Sequence, residues 1–294
     1  MKPLQIYACG DQYHTASEPL SDLKSITQQA TGKAHRRIGR FIQLALTGAA
    51  RCQTTQAMPP DTGVYFASSR GDLELTLEIM TQLFRHGQTP KPLHFVNTVS
   101  NAASFYIAQT LGLHSRSNFA CNHYFAFESA VQLATLDLHL SVIDSALVGS
   151  VDIATHPLHE HRQRLHLAPD TPIGEGSHWL WLGKPNGSRP RIGELKDSRH
   201  FVDRNELLHW LGQLPLMEHC AISAGQYLAS SDFTELQIIS GIKHRFFYRI
   251  DRAYYDSQSG AVISCFLQSE DSANTLLHIN ADDQQRYSVM LVSR

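Results

Sequence analysis

Short apolar runs alternate along this chain with longer segments whose apolar residues recur every three or four positions. The run over residues 4–8 predicts a buried strand ending at Gly10, and residues 36–52 place Ile38, Phe41, Ile42, Leu44, Ala45 and Ala49 at helical spacing. A strand over 63–68 (GVYFAS) then precedes a helix over 71–84, with Leu73, Leu77, Met80 and Phe84 on one side. The same reading gives a helix over 101–111, a strand over 118–122, a long apolar helix over 125–140 and a strand over 145–151. Beyond it come a strand over 178–183, a turn over 184–190, a helix over 206–214 and a strand over 220–223. Helices over 233–240 and 259–267 and strands over 276–279 and 287–292 complete the chain. Buried strands alternating with helices predict an α/β protein with a parallel or mixed sheet between helical layers.

Composition narrows the picture. Of 294 residues, 42% are hydrophobic and 18% charged, a balance that can bury one large core or two packed halves. Lys and Arg number 25 against 27 Asp and Glu, so the broad basic footprint of a nucleic-acid or anionic-membrane binder is missing. No window approaches the roughly 18–20 apolar residues that span a bilayer. The five cysteines, Cys9, Cys52, Cys121, Cys220 and Cys265, are odd in number and far apart, the pattern of reduced thiols, and the expected location is cytoplasmic. Cys9, Cys52, Cys220 and Cys265 are expected to be small core residues. Seventeen His residues are scattered; the densest stretch, with His156, His159 and His161, reads as a solvated loop or helix face, and no metal or cofactor is implied.

Four ordered segments carry a resemblance. From Asn101 the sequence runs NAASFYIAQTLGLHSRSNFACNHYFAFESAVQLA; SALVGSVD follows, then PIGEGSHWLWL with Gly174, Glu175 and Gly176. Further on come ISAGQYLASSDFTE over 222–235 and YRIDRAYYDSQSGAV. In order and spacing these are similar to the β-ketoacyl synthase (thiolase-like) family. The resemblance implies a thiolase-like fold: two related βαβ-type halves, residues 1–155 and 156–294, in a layered α-β-α-β-α core, shortened relative to full ketosynthases.

The chemistry implied by the family is not carried over with it. Condensation needs a Cys thiolate at a helix N-terminus and two His side chains that stabilise an enolate. On the ungapped match these positions fall on Tyr124, Ala224 and Tyr254, and a Lys position falls on Arg249. A phenol with a pKa near 10 cannot replace the thiolate, and Ala offers no donor. The chain therefore resembles a degenerate member, a chain-length factor of type II polyketide or aryl polyene synthesis, related to fatty acid biosynthesis. That resemblance implies a heterodimer with an active ketosynthase, contact with an acyl carrier protein, and a wall shaping the tunnel for the growing acyl or polyene chain. The implied tunnel or interface residues are Leu73, Thr76, Leu77, Met80, Phe119, Phe125 and Phe127. Lys33, Arg36, Arg37 and Arg40 are candidates for docking the acidic carrier. A rival expectation is an acyltransferase or thioesterase that uses Cys121 with His123; against it, Cys121 is expected to be an inert thiol packed within a buried strand.

Overall fold

The computed structural model describes residues 2–17, 20–53, 57–99, 101–187, 189–215, 219–248 and 253–294. In chain order the first elements are β1 (Leu4–Thr15), α1 (Lys24–Thr31), α2 (Arg40–Arg51), β2 (Gly63–Ser68), α3 (Leu73–His86), α4 (Pro92–Asn97), α5 (Ala102–Leu111), β3 (Ser117–Cys121), α6 (Ala126–His139), β4 (Ser145–Asp152), α7 (Leu158–Arg164) and β5 (Gly174–Gly183). They are followed by β6 (Gly193–Phe201), α8 (Arg204–Gln213), β7 (Cys220–Ala224), α9 (Ser230–Ser240), β8 (His244–Arg245), α10 (Ser259–Gln268), β9 (Thr275–Ala281) and β10 (Tyr287–Ser293).

The ten strands run in the order β3-β2-β4-β5-β1-β6-β10-β9-β7-β8. Counted within each set of five, that order is 3-2-4-5-1 followed by its mirror, 1-5-4-2-3. The pairings repeat too. β2 lies parallel to β3 and β4, as β7 does to β8 and β9; β5 is antiparallel to β4 and β1, as β10 is to β9 and β6. One supersecondary unit thus occurs twice, joined where β1 pairs with β6. The last strand of the first unit, β5, ends at Gly183, and the first of the second, β6, begins at Gly193.

Packing sets five layers. α2 and α5 cover one face of the first five strands with Phe41, Ile42, Leu44 and Ile107 against Phe66, Trp179 and Trp181. α8 and α9 cover the second set through Leu207, Trp210, Phe233 and Leu236. Between the sets lie α6 and α10, whose Phe127, Val131, Ile263 and Phe266 share one cluster with residues of both halves. The middle layer accounts for the buried apolar side of residues 125–140, whereas Leu133, Leu136 and Leu140 on the other side stay exposed.

Two differences from the sequence pattern have plain causes. β1 continues through Gly10 to Thr15, since a Cβ there would lie 2.4 Å from the Cys52 nitrogen and the Gly48 carbonyl; this glycine lets α2 press onto the strand. β6 (GELKDSRHF) carries too many charges to read as a strand and is recruited by its neighbours β1 and β10. α1, α4, α7 and β8 are likewise additions to the elements read from periodicity.

The two sheet edges differ. β8 has two residues, whereas β3 has five with partly exposed side chains. Among the described helices none is long and apolar enough to cross a membrane.

Candidate functional site

Tyr124 stands in the turn between β3 and α6. Its ring meets Tyr227 edge-on at 4.8 Å and His123 at 4.5 Å, and its carbonyl accepts from Asn280 Nδ2 at 3.1 Å. Tyr254 lies in the segment ahead of α10, its hydroxyl 3.3 Å from that of Tyr227 and 3.2 Å from Asp256 Oδ1. Ala224 ends β7; at the next residue, Gly225, a Cβ would fall 2.3 Å from Asn280 Oδ1. The three positions that the resemblance marks as substituted therefore do converge, tied together through Tyr227 and Asn280. Arg249 lies outside the described residues.

Asp256 organises the polar side of this site. It accepts from Tyr227 at 2.6 Å and from Arg70 Nε at 2.8 Å, and Arg70 Nη2 reaches to 3.4 Å from His123 Nε2. Burial first, and the Asp256 charge second, push the Tyr227 and Tyr254 phenols up, so both are neutral at neutral pH. Tyr124 is raised as well, by desolvation and by Asp283.

Below the tyrosines is a fully enclosed chain of hydrogen bonds. Ser259 Oγ donates to Glu128 Oε1 at 2.6 Å and lies 3.0 Å from His278 Nε2; His278 Nδ1 lies 2.9 Å from Ser223 Oγ. Because Ser259 spends its proton on Glu128, His278 must donate from Nε2 and accept from Ser223 at Nδ1. Burial holds His278 down to about 4, so its ring is neutral, and burial raises Glu128. Asn280 Nδ2 also donates to Glu128, at 2.9 Å. This chain links α6, β7, α10 and β9 in the interior. Glu128→Ala leaves Ser259 and Asn280 without their shared acceptor and is expected to cost about 1–3 kcal/mol of unfolding free energy, less for Glu128→Gln, measured by urea denaturation.

The sequence pattern did not single out Arg70, Glu128, Tyr227, Asp256, Ser259, His278 or Asn280 as site residues. For two of them a signal existed: His278 and Asn280 alternate with Leu277 and Ile279 in an otherwise apolar strand, where a polar side chain is buried only with a partner.

Cys121 is exposed, not packed in a buried strand, because β3 is an edge and Cys121 its last residue. Its thiol donates to the Ser69 carbonyl at 3.5 Å, and desolvation followed by the Asp152 charge pushes its pKa up. His123 bonds Arg70 instead, and its own pKa is lowered by burial and by that guanidinium. Among the described residues no Cys121–His123 bond is made. Cys52 and Cys220 are buried as expected, whereas Cys9 and Cys265 are half-buried. His161 turns inward to Thr155 at 2.8 Å, so the 156–161 stretch is only partly a solvated face; the described residues hold no metal-binding group of His, Cys, Asp or Glu.

The seven residues expected along a tunnel or interface are spread over several surfaces. Phe127 is fully buried in the middle layer, its ring 3.0 Å from where a Cβ on Gly260 would be. Phe119 packs on Phe66 at 5.1 Å on the outer side of β3, and Phe125 on His200 at 5.3 Å. Leu73 faces a small void beside Arg70, while Thr76 and Met80 are exposed and Leu77 is half-buried on α3. A groove of about 1220 Å³ runs from Asn122 along Leu133 and Leu136 of α6 to Trp210 of α8, apart from all seven. Of the four basic candidates, Lys33, Arg36 and Arg37 are exposed; Arg40 is not free, since it clamps the buried Glu175 together with His14.

No protein-family model matches the sequence, and no curated protein does. Solved structures do. A chain of the AntDE:AntF complex, a type II polyketide synthase acyl-carrier protein with its ketosynthase bound to the hexaketide, is similar at 14% identity over 100% of this chain and 99% of that one, with a TM-score of 0.78. The ishigamide ketosynthase/chain length factor gives 14% identity, 99% of both chains and 0.78. The ketosynthase ApeO in complex with its chain length factor ApeC, from Xenorhabdus doucetiae, gives 13% identity, all of both chains and 0.54. The fold of this chain is the thiolase-like fold of those ketosynthases.

Proposed function

We propose that this ketosynthase-fold chain is a non-condensing partner subunit, of the chain-length-factor kind, that pairs with an active ketosynthase and shapes the space for an acyl or polyketide chain carried on acyl carrier protein. The observation that carries this reading is the site itself. Tyr124 and Tyr254, two of the three positions that the resemblance assigns to thiolate and imidazole, meet through Tyr227, and Phe127 and the Glu128–Ser259–His278 chain lie buried in the same region. Chemistry is lost while the fold around it is kept.

The surface supports a partner. β3 is an unpaired edge, whereas its counterpart in the second unit, β8, is cut to two residues, a common way of blunting an edge. Ahead of β3 in the chain, helices α3, α4 and α5 present Met80, Leu83, Phe84, Phe95, Val96 and Phe105 to solvent, with Val99 exposed in the connection between α4 and α5. Exposed apolar surface on that scale is the mark of an interaction face. The similarity to chains from ketosynthase and chain-length-factor assemblies agrees with this reading.

The test is to co-express the chain with an active ketosynthase from the same source, purify through a tag on this chain, and assay decarboxylative condensation of malonyl-carrier protein. The expected result is a stoichiometric, active complex and an inactive lone chain. Condensation by the lone chain, or failure of the two to copurify, overturns the proposal.

A further inference from the structure

The turn between β2 and α3 is built over a buried carboxyl that has more acceptor capacity than donors. Asp152, at the end of β4 and 5% exposed, accepts from Ser68 Oγ at 2.9 Å and from the Ser69 amide at 3.0 Å through Oδ1; its Oδ2 makes no well-formed hydrogen bond, although the Ser257 hydroxyl is close enough to favour the charged carboxylate. Ser68 Oγ in turn accepts from the Gly71 amide at 2.8 Å, so this one carboxyl holds the whole turn into α3. Asp152 lines a closed void of about 10 Å³, room for a single water, whose wall includes Arg70, His161, Tyr255 and Asp256.

The charges around the void do not balance. The turn contributes Arg70, already bonded to Asp256 from the segment ahead of α10. From α7, His161 is neutral near pH 7, held down to about 4 by burial, and Arg164 pairs with Glu160. On β5, Glu175 is taken by Arg40 and His14, and the Cys121 thiol at the end of β3 is pushed up. Two carboxyls thus face one guanidinium in a water-poor space, and a second negative charge has nothing to pair with.

We propose that the β2–α3 junction is a proton-operated hinge: Asp152 carries one exchangeable proton, and its loss draws water into the void and frees the turn and the first turn of α3. Burial, then repulsion by Asp256, push Asp152 up to about 7. A carboxyl raised in the closed form favours closure fully below its unfolded value near 3.8; that stabilisation is lost as pH rises to about 7, with little change beyond. Asp72, the α3 cap, is raised to about 6 by burial and acts in the same direction at lower pH. The hinge moves the helix that carries Met80, Leu83 and Phe84, but it does not depend on what docks there.

Amide hydrogen exchange on the full chain tests this, with rates corrected for intrinsic exchange and β4 amides as the internal reference. Opening at Ser69, Arg70, Gly71 and the first turn of α3 is expected to increase about tenfold between pH 6 and pH 8 and then level off. Asp152→Asn should flatten that rise. A flat wild-type profile, or the same rise in Asp152→Asn, overturns the proposal. Should the variant fail to fold, the carboxyl carbon of Asp152 in the wild-type chain decides by NMR: a titration midpoint between 6 and 8 supports the hinge, and one below 5 overturns it.

Discussion

Phe84→Asp combined with Phe95→Asp is expected to weaken binding of the ketosynthase partner by at least about a hundredfold while leaving the stability of the lone chain unchanged. Phe84 is 78% exposed at the end of α3 and Phe95 60% exposed on α4, so neither substitution opens a cavity in the folded chain. Aromatic side chains left on the surface act only when a partner covers them, and burying one at the centre of an interface contributes about 2 kcal/mol or more. A carboxylate at either place would have to be buried unpaired, which adds to the loss. Sedimentation of the purified variant with its partner checks the affinity, and urea denaturation of the lone chain checks that the fold is intact. Unchanged association would remove α3 and α4 from the interface and leave the β3 edge to carry the contact alone.

Phe127→Ala is expected to cost about 3–5 kcal/mol of unfolding free energy, the range for deleting a fully buried aromatic ring. Phe127 has no exposed surface and lies in the middle layer, where its cluster joins residues from both five-strand units. The cavity left by alanine would therefore sit at the seam of the two units. Phe119→Ala, on the outer side of β3 and only half-buried, should cost clearly less. Equilibrium denaturation of both variants provides the comparison. Equal costs would mean that the middle layer collapses around the gap.

Much of this was legible in one dimension because it is local or ordered along the chain. Period-two and period-3.6 apolar patterns located β2, α2, α5, α6 and β4 to within a few residues, since those elements bury a face that must be apolar whatever packs on it. The expectation that Tyr124, Ala224 and Tyr254 replace a thiolate and two imidazoles is a matter of residue identity in ordered motifs, and needs no tertiary information to state. Tertiary structure decided what depends on partners distant in sequence. β6 is a strand because β1 and β10 flank it, although its charges argue against it. Cys121 is exposed because β3 lies at an edge, a property of strand order that the sequence SNFAC does not contain. Phe119 and Phe127, eight positions apart, end on opposite sides of a sheet because one belongs to the strand's outer face and the other to the middle helix. Glu128 and His278 are 150 positions apart, and each alone would be a costly buried polar group. Only the folding of α6 and β9 onto the same Ser259 hydroxyl turns them into a satisfied chain.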